Sequence, residues 1–506
     1  MDGIVALDIG TTGVKAALLD RQGRVVASGY AQYATFAGGN RIEQEPEAWW
    51  QATGEALAAL WQEAPTGMGI AAVALSGQMQ DTILLGARGA VGRAILYSDS
   101  RADVEARLLD EQIGAAQLAA VTGNPHTPAS VFAKWLWLAR AEPARLAVAQ
   151  TLLLGAHDYI TWRLCGARTA DYTTAATTGL LDLRANRWQE TAIRAMGLDP
   201  AYLPTLRRAG DPVGTVSAAA SQATGLPAGT PVLQGVGDLG ATTVGVGAGV
   251  PGRFYGYLGT SGWLASTLAQ AEPCPERGIF TLRHPDAAQV IQVAPMLTAG
   301  GNLEWLRGVL DIAADGPGMT YELLNRLAAA APAGSHGLLY LPYLAGERSP
   351  FSAPDARACF IGLSAQTGAG DLARAVMEGT ALAYRALRDT LYPAGAPGPR
   401  GPLLLVGGGA KSPVWAQILA DVLAAPVQVV ADPGNAAARG AALIAGQTLG
   451  WFADYAATPD FFPVAQVYAP NPAHGALYDQ LYALFAPLHL QLAQTFAGLA
   501  ALRQEG

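Results

Sequence analysis

Gly10-Thr11-Thr12-Gly13 and Gly259-Thr260-Ser261-Gly262 are two copies of one turn, one in each half of a 506-residue chain. Backbone N–H groups and hydroxyls in such turns suit phosphate oxygens. Asp8 stands two residues before the first copy, and Tyr257 holds that place before the second. A carboxylate at a strand end beside a phosphate turn can hold Mg²⁺ against a nucleotide, directly or through water. The plainer alternative is a solvated, turn-capping Asp. A second acid, Asp238, lies in Gly235-Val236-Gly237-Asp238-Leu239-Gly240, where small neighbours let a substrate approach closely. That position suits a general base, with helix N-capping as its alternative role. Two phosphate cradles, only one with a carboxylate, imply a nucleotide site between two related domains with a metal on one side.

The elements that must position these residues are legible around them. Each turn is flanked by apolar runs, at 4–7 and 14–19 for the first and at 254–258 and 263–268 for the second, so each reads as a hairpin. A third strand is expected at 24–28, then a helix over Pro46–Glu63, with Pro46 in its first turn and Trp50, Thr53, Leu57 and Leu60 on one face. A buried strand at 70–75 runs into Ser76-Gly77-Gln78-Met79-Gln80-Asp81, and a strand at 82–85 follows. Polar residues in a Gly turn at a strand end make a candidate ligand loop. A strand at 94–96 leads into a second polar cluster, Tyr97-Ser98-Asp99-Ser100-Arg101. The Gly/Pro-rich stretch 226–256 holds a strand at 231–234 and an Ala/Gly helix ending near Gly249-Val250-Pro251-Gly252, so the domains divide into 1–249 and 250–506. Leu403–Val406 runs into Gly407-Gly408-Gly409, whose backbone can pass close to a flat group such as adenine. Ser412-Pro413 starts a helix to about residue 423, and 477–502 reads as one Ala/Leu-rich helix.

Bulk properties narrow the class. The chain is too long for one core, and two domains of roughly 200–250 residues are the natural reading. A formal net charge of −8 without any Lys/Arg cluster argues against nucleic acid. The mean hydropathy of +0.21 owes much to Ala-rich segments. No uncharged apolar run reaches the roughly 18 residues of a membrane span. The first apolar run is broken by Asp8 and reads as a strand, not a signal peptide. Cys165, Cys274 and Cys359 are isolated, which fits a reducing cytoplasm. Residues 235–240 formally match G-x-G-x-x-G, but the strand before them is short and no acidic residue follows about 20 positions on, as a dinucleotide site requires. There is no P-loop lysine motif, nucleophile elbow or H-E-x-x-H.

With these residues in view, the chain resembles the FGGY carbohydrate kinases along nearly its whole length. The segments that carry the likeness are DIGTTGVKAALLD from Asp8, PEAWWQAT from Pro46, SGQMQ from Ser76, GDLGATTVGVGAG from Gly237, LGTSG from Leu258, LPYLAGERSP from Leu341, LARAVMEGTALAY from Leu372 and LLLVGGGAKSPVWAQILAD from Leu403. The resemblance implies an α/β fold of two ribonuclease-H-like domains, as in the actin-like ATPases, closing over a catalytic cleft. It implies that Asp238 takes a proton from a sugar hydroxyl and that Asp8 holds Mg²⁺. It further implies that Thr11, Thr12, Gly259 and Thr260 contact the phosphates of ATP, with Gly300, Gly408, Gly409 and Ser412 around the adenosine. Met79, Gln80, Asp99, Asp238 and Leu239 would face the sugar. A homodimer is expected by family analogy alone.

The chain departs from the xylulokinase branch of that family where the sugar should sit. Gln80 stands where His is usual, Asp81 where a small residue is usual, and Leu239 where Asn usually follows the catalytic Asp. A lost hydrogen-bond partner can change discrimination strongly. The expected activity is therefore ATP-dependent phosphorylation of a small ketose, a pentulose such as D-xylulose first, with another ketose or a polyol such as glycerol as alternatives. An actin-like ATPase without a sugar substrate is the competing class.

Overall fold

The computed structural model describes residues 2–270, 272–311, 318–395, 397–455 and 461–504. Asp2–Ile9 and Gly13–Leu19 form the first hairpin, and Val25–Gln32 adds antiparallel beside the second of them. On the other side Gly69–Gly77 pairs parallel with Asp2–Ile9, followed by parallel Pro231–Leu233 and antiparallel Pro212–Thr215. The second half repeats the plan. Phe254–Leu258 and Gly262–Leu268 form a hairpin, and Val290–Met296 extends it antiparallel. Leu403–Val406 and Val427–Val430 then join in parallel, and Val464–Tyr468 closes the edge antiparallel. Each sheet thus has the ribonuclease-H-like order 3-2-1-4-5, and in both the phosphate-type turn joins its two central antiparallel strands.

The Pro46–Glu63 helix begins and ends where the pattern expects. Its apolar side, including Trp49, Trp50, Leu57 and Leu60, packs on the Gly13–Leu19 and Val25–Gln32 strands. A smaller sheet grows out of the ligand loop, in the order Ala149–Gly155, Met79–Gly86, Ala94–Ile95, Arg41–Gln44 and Phe36–Gly38. Its Thr82↔Ile95 register brings the 76–81 and 97–101 loops side by side.

The halves meet through two helices. Ala436–Thr448 lays Ala438, Ala441, Ala442 and Ala445 on Ile4, Ala6, Ala72 and Ala74 of the first sheet, and it crosses Asp238–Gly245. Small side chains on both sides permit that close approach.

Two helices differ from expectation. The one starting at Asp238 ends at Gly245, because Gly247 turns the chain with φ +90°. The C-terminal stretch is three helices, Gly475–Phe485, Leu488–Gln491 and Ala493–Gln504, with Pro487 interrupting the first break. Among the described residues no helix is long and apolar enough to cross a membrane.

Candidate active site

Strand register builds the centre of the site. Asp8 lies opposite Ser76 on the neighbouring parallel strand, and Val236 lies opposite the same Ser76 on its other side. Gly237 pairs with Gly77, and Asp238 follows as the first residue of its helix. The two acids therefore emerge from one sheet end with a single strand between them. Both are half-buried. Burial pushes the Asp238 carboxyl up to about 7, with Asp8 as the second cause and the Leu239 N–H and His157 pulling against them. Burial also raises Asp8, opposed chiefly by Lys15 across the hairpin. Asp8 Oδ1 is buried with no protein partner. An oxygen in that condition fits a hard cation.

Asp238 is not the N-cap; Gly237 is, and Asp238 Oδ1 instead accepts the Leu239 N–H at 2.8 Å. A side chain at Gly237 would meet Met79 Sδ at 2.4 Å and Thr174 Oγ1 at 2.9 Å. Met79 is thereby packed directly against the Gly237–Asp238 turn. Gln80 is half-exposed and holds φ +66°, a left-handed conformation costly for a residue with a side chain. Leu239, Met79, Tyr257 and Trp263 each pack against the edge of one apolar cluster. The last two stack at 4.0 Å between centroids. Tyr257 and Trp263 face each other across the second hairpin as Asp8 and Lys15 do across the first. Register partners of opposite charge in one lobe are an aromatic pair in the other.

Asp99 does not face the cleft. It is fully buried, accepts from Arg101 N, Nε and Nη2, and takes the Ile42 N–H at 2.6 Å. It folds the loop while Tyr97 and Ser98 are left exposed, the Tyr97 hydroxyl lying 3.4 Å from Thr11 Oγ1. The expectation that Asp99 contacts sugar is therefore corrected: its oxygens already have partners.

At the turns, Thr11 is half-exposed while Thr12, Thr260 and Ser261 are exposed. The Tyr33 hydroxyl donates to the Gly10 carbonyl and holds the first turn from behind. The second turn is held by the 299–301 segment: Gly300 N donates to Gly259 O at 2.7 Å and Gly301 N to Thr260 O at 3.0 Å. A Cβ at Gly300 would lie 2.5 Å from that Gly259 oxygen, so only glycine fits. Gly408 opens on free space, whereas Gly409 is pressed on Leu258. Ser412 caps the Pro413–Leu423 helix as expected, and its hydroxyl also donates to Asn325 at 2.6 Å. Lys15 Nζ reaches Gly434 O at 2.7 Å and ties the first hairpin to the second lobe.

Two supporting groups went unread in the sequence. His157 is fully buried, and its Nε2 lies 3.1 Å from Asp171 Oδ1. Asp171 caps the Tyr172–Ala176 helix through the Thr173 and Thr174 N–H groups. Burial alone would lower the imidazole, yet Asp158 and Asp171 raise it to about 9. Lys134 is fully buried beneath the ligand loop. Its signal was present: it is one of three lysines in the chain and stands alone in Val131-Phe132-Ala133-Lys134-Trp135-Leu136.

The comparisons with known proteins agree with this arrangement. Residues 3–245 match the FGGY family of carbohydrate kinases, N-terminal domain, and residues 255–449 match its C-terminal domain. The chain is 31% identical to a xylulose kinase of Escherichia coli (strain K12), over 97% of this chain and 100% of that one. The crystal structure of a xylulose kinase from Rhodospirillum rubrum superimposes with a TM-score of 0.90 at 31% identity, covering 98% and 100% of the two chains. A gluconate kinase structure from Lactobacillus acidophilus gives 0.89 at 27% identity, covering 98% and 99%. With two lobes of one plan, an acid pair at one end of the first sheet and these relatives, the chain belongs to the FGGY family of carbohydrate kinases, sugar phosphotransferases that use ATP with a divalent metal.

Proposed function

We propose that this enzyme transfers the γ-phosphate of ATP to a hydroxyl of a small ketose, D-xylulose or a related pentulose, with Asp238 as general base. The full-length likeness to curated xylulose kinases supports that substrate class. The observation that carries the base assignment is the placement of Asp238 one strand away from Asp8, with burial holding its carboxyl near 7. A base of that strength can accept a hydroxyl proton at neutral pH. Asp8 fits Mg²⁺, directly or through water. When bound, the ion would neutralise developing charge on the phosphates. Thr11, Thr12, Gly259 and Thr260 would contact the phosphates through N–H groups and hydroxyls. Gly300, Gly408, Gly409 and Ser412 would border the adenosine, Gly408 as its open face and the others as backbone support. Met79, Gln80 and Leu239 would line the sugar. Residues 1–249 would form the sugar-binding lobe and 250–506 the nucleotide lobe. Unpaired cysteines and the need for ATP support a cytoplasmic setting.

A second acceptor class is favoured by one observation. Leu239, at the edge of the same apolar cluster as Met79, Tyr257 and Trp263, offers no hydrogen bond where the family usually has an amide. Another ketose, a polyol or an aldonate such as gluconate would then be preferred. A coupled ADP-release assay over pentuloses, hexuloses, polyols and gluconate decides between them. ADP release that is unchanged by every acceptor would defeat the sugar-kinase reading and favour a plain ATPase.

A further inference from the structure

Lys134 sits on the Val131–Ala141 helix with no exposure to solvent, and its ammonium reaches two backbone carbonyls on two different loops. Nζ donates to Leu96 O at 2.6 Å and lies 3.5 Å from Gln80 O. Asp81, also fully buried, makes the reciprocal link: its Oδ1 accepts the Tyr97 N–H at 3.2 Å. Gln80 Nε2 reaches Ala129 O at 3.4 Å, just ahead of the same helix. The 79–81 loop, the 96–98 loop and the start of one helix are thus joined at a few atoms. Lys134 is the charge that most offsets the burial of Asp81. Burial pushes the Asp81 carboxyl up to about 8 and the Lys134 ammonium down to about 7, and a buried pair of this kind is weak evidence for stability.

What these links hold is the sugar side of the cleft in the reading above. Gln80 is half-exposed on one loop and Tyr97, with Ser98, is exposed on the other, and Gln80 is in a left-handed conformation that persists only if its surroundings enforce it. A Lys bond to the Gln80 carbonyl fixes that peptide plane and with it the direction of the Gln80 amide. The usual family residue at position 81 is small, so this chain has added the carboxylate half of the link.

We propose that Lys134 and Asp81 act together as a buried clamp that positions Gln80 and Tyr97 and so determines which acceptor the enzyme selects. The inference rests on the sugar-kinase reading above. Lys134 is a positioning residue, acting on the acceptor through loops and leaving the nucleotide lobe untouched.

The test is steady-state kinetics of full-length wild type, Lys134→Met, Lys134→Arg and Asp81→Asn against the same acceptor panel. Lys134→Met is expected to raise KM for the best acceptor about tenfold or more and to flatten the kcat/KM ratio between best and second-best acceptors. KM for ATP should rise clearly less than that for the acceptor, since the clamp reaches the phosphate turn only through the Tyr97 hydroxyl, 3.4 Å from Thr11 Oγ1. Lys134→Arg, which keeps charge and donors, should recover part of the selectivity. If Lys134→Met does not fold, Asp81→Asn gives the reading, because at constant volume it takes away the carboxyl group that most offsets the burial of Lys134, and it should still flatten the selectivity. A variant whose melting point falls while acceptor KM and selectivity stay unchanged overturns the clamp. So do equal rises in the KM for acceptor and for ATP. A wild type that turns over no acceptor overturns the kinase reading and this inference with it. A wild type that turns over a sugar beside an unaltered Lys134→Met overturns this inference alone.

Discussion

Asp8 and Val236 flank the same residue, Ser76, from opposite sides of one strand, and Asp238 follows Val236 by two residues, so the two carboxylates are brought to one sheet end by strand register and not by loop chance. Their burial and mutual repulsion raise Asp238, which divides the labour between them. Asp238→Asn keeps the volume and removes the base. Turnover should fall at least about 10²–10³-fold while nucleotide still binds. Single-turnover kinetics beside an ATP titration checks both halves, and near-wild-type turnover would remove Asp238 from the mechanism.

The metal prediction rests on Asp8 Oδ1, a buried oxygen with no protein partner. Chelation should stop turnover, and Mg²⁺ should restore it. Asp8→Asn should raise the metal concentration needed for half activity at least about tenfold. A metal titration unchanged in the variant would show that the ion is held elsewhere.

The pH dependence follows from sign. A base raised to about 7 is protonated below that value, so kcat/KM should fall with decreasing pH on an acid limb near 7. His157 is held protonated by Asp158 and Asp171, and its charge lowers the Asp238 carboxyl. His157→Gln removes that charge, so the limb should move to higher pH. A limb that stays put, or moves to lower pH, would disconnect the imidazole from the base.

Much of this arrangement is legible in the sequence, for a physical reason. The two turns, Asp8 and Asp238 sit at strand ends flanked by Gly and apolar runs, and such signals are local in the chain. What could not be read depends on partners far away. Asp99 looked like a sugar ligand because it stands in a polar cluster, but Arg101 and the Ile42 N–H occupy it, and the latter lies on another strand. Ser412 was legible as a cap, yet its bond to Asn325 was not. Lys134 and His157 act only through the loops they support, and no spacing rule points to such a role. The break at Pro487 was visible in the sequence, but the Ala/Leu pattern on either side masked it.

The last prediction concerns the crossing of the two lobes. Gly245 and Gly440 lie at reciprocal points of the helices Asp238–Gly245 and Ala436–Thr448. A Cβ at Gly245 would stand 1.8 Å from Ala436 O, and one at Gly440 would stand 1.8 Å from Ala241 O. Backbone cannot yield as a side chain does, so even alanine must push the helices apart. Asp238 begins one of these helices, and separation would tilt its carboxylate away from Asp8. Gly440→Ala should cost about 1–3 kcal/mol of stability, as overpacking does, and should lower turnover with little change in the KM for ATP. Gly498→Ala is the control. Its Cβ would meet nothing within 4 Å in the Ala493–Gln504 helix. There alanine should be neutral or stabilise by up to about 1 kcal/mol, as expected of Gly→Ala in a helix. Thermal melting and steady-state kinetics on both variants check the pair. If Gly440→Ala melts and turns over like the control, the helices are not in the contact that aligns the base.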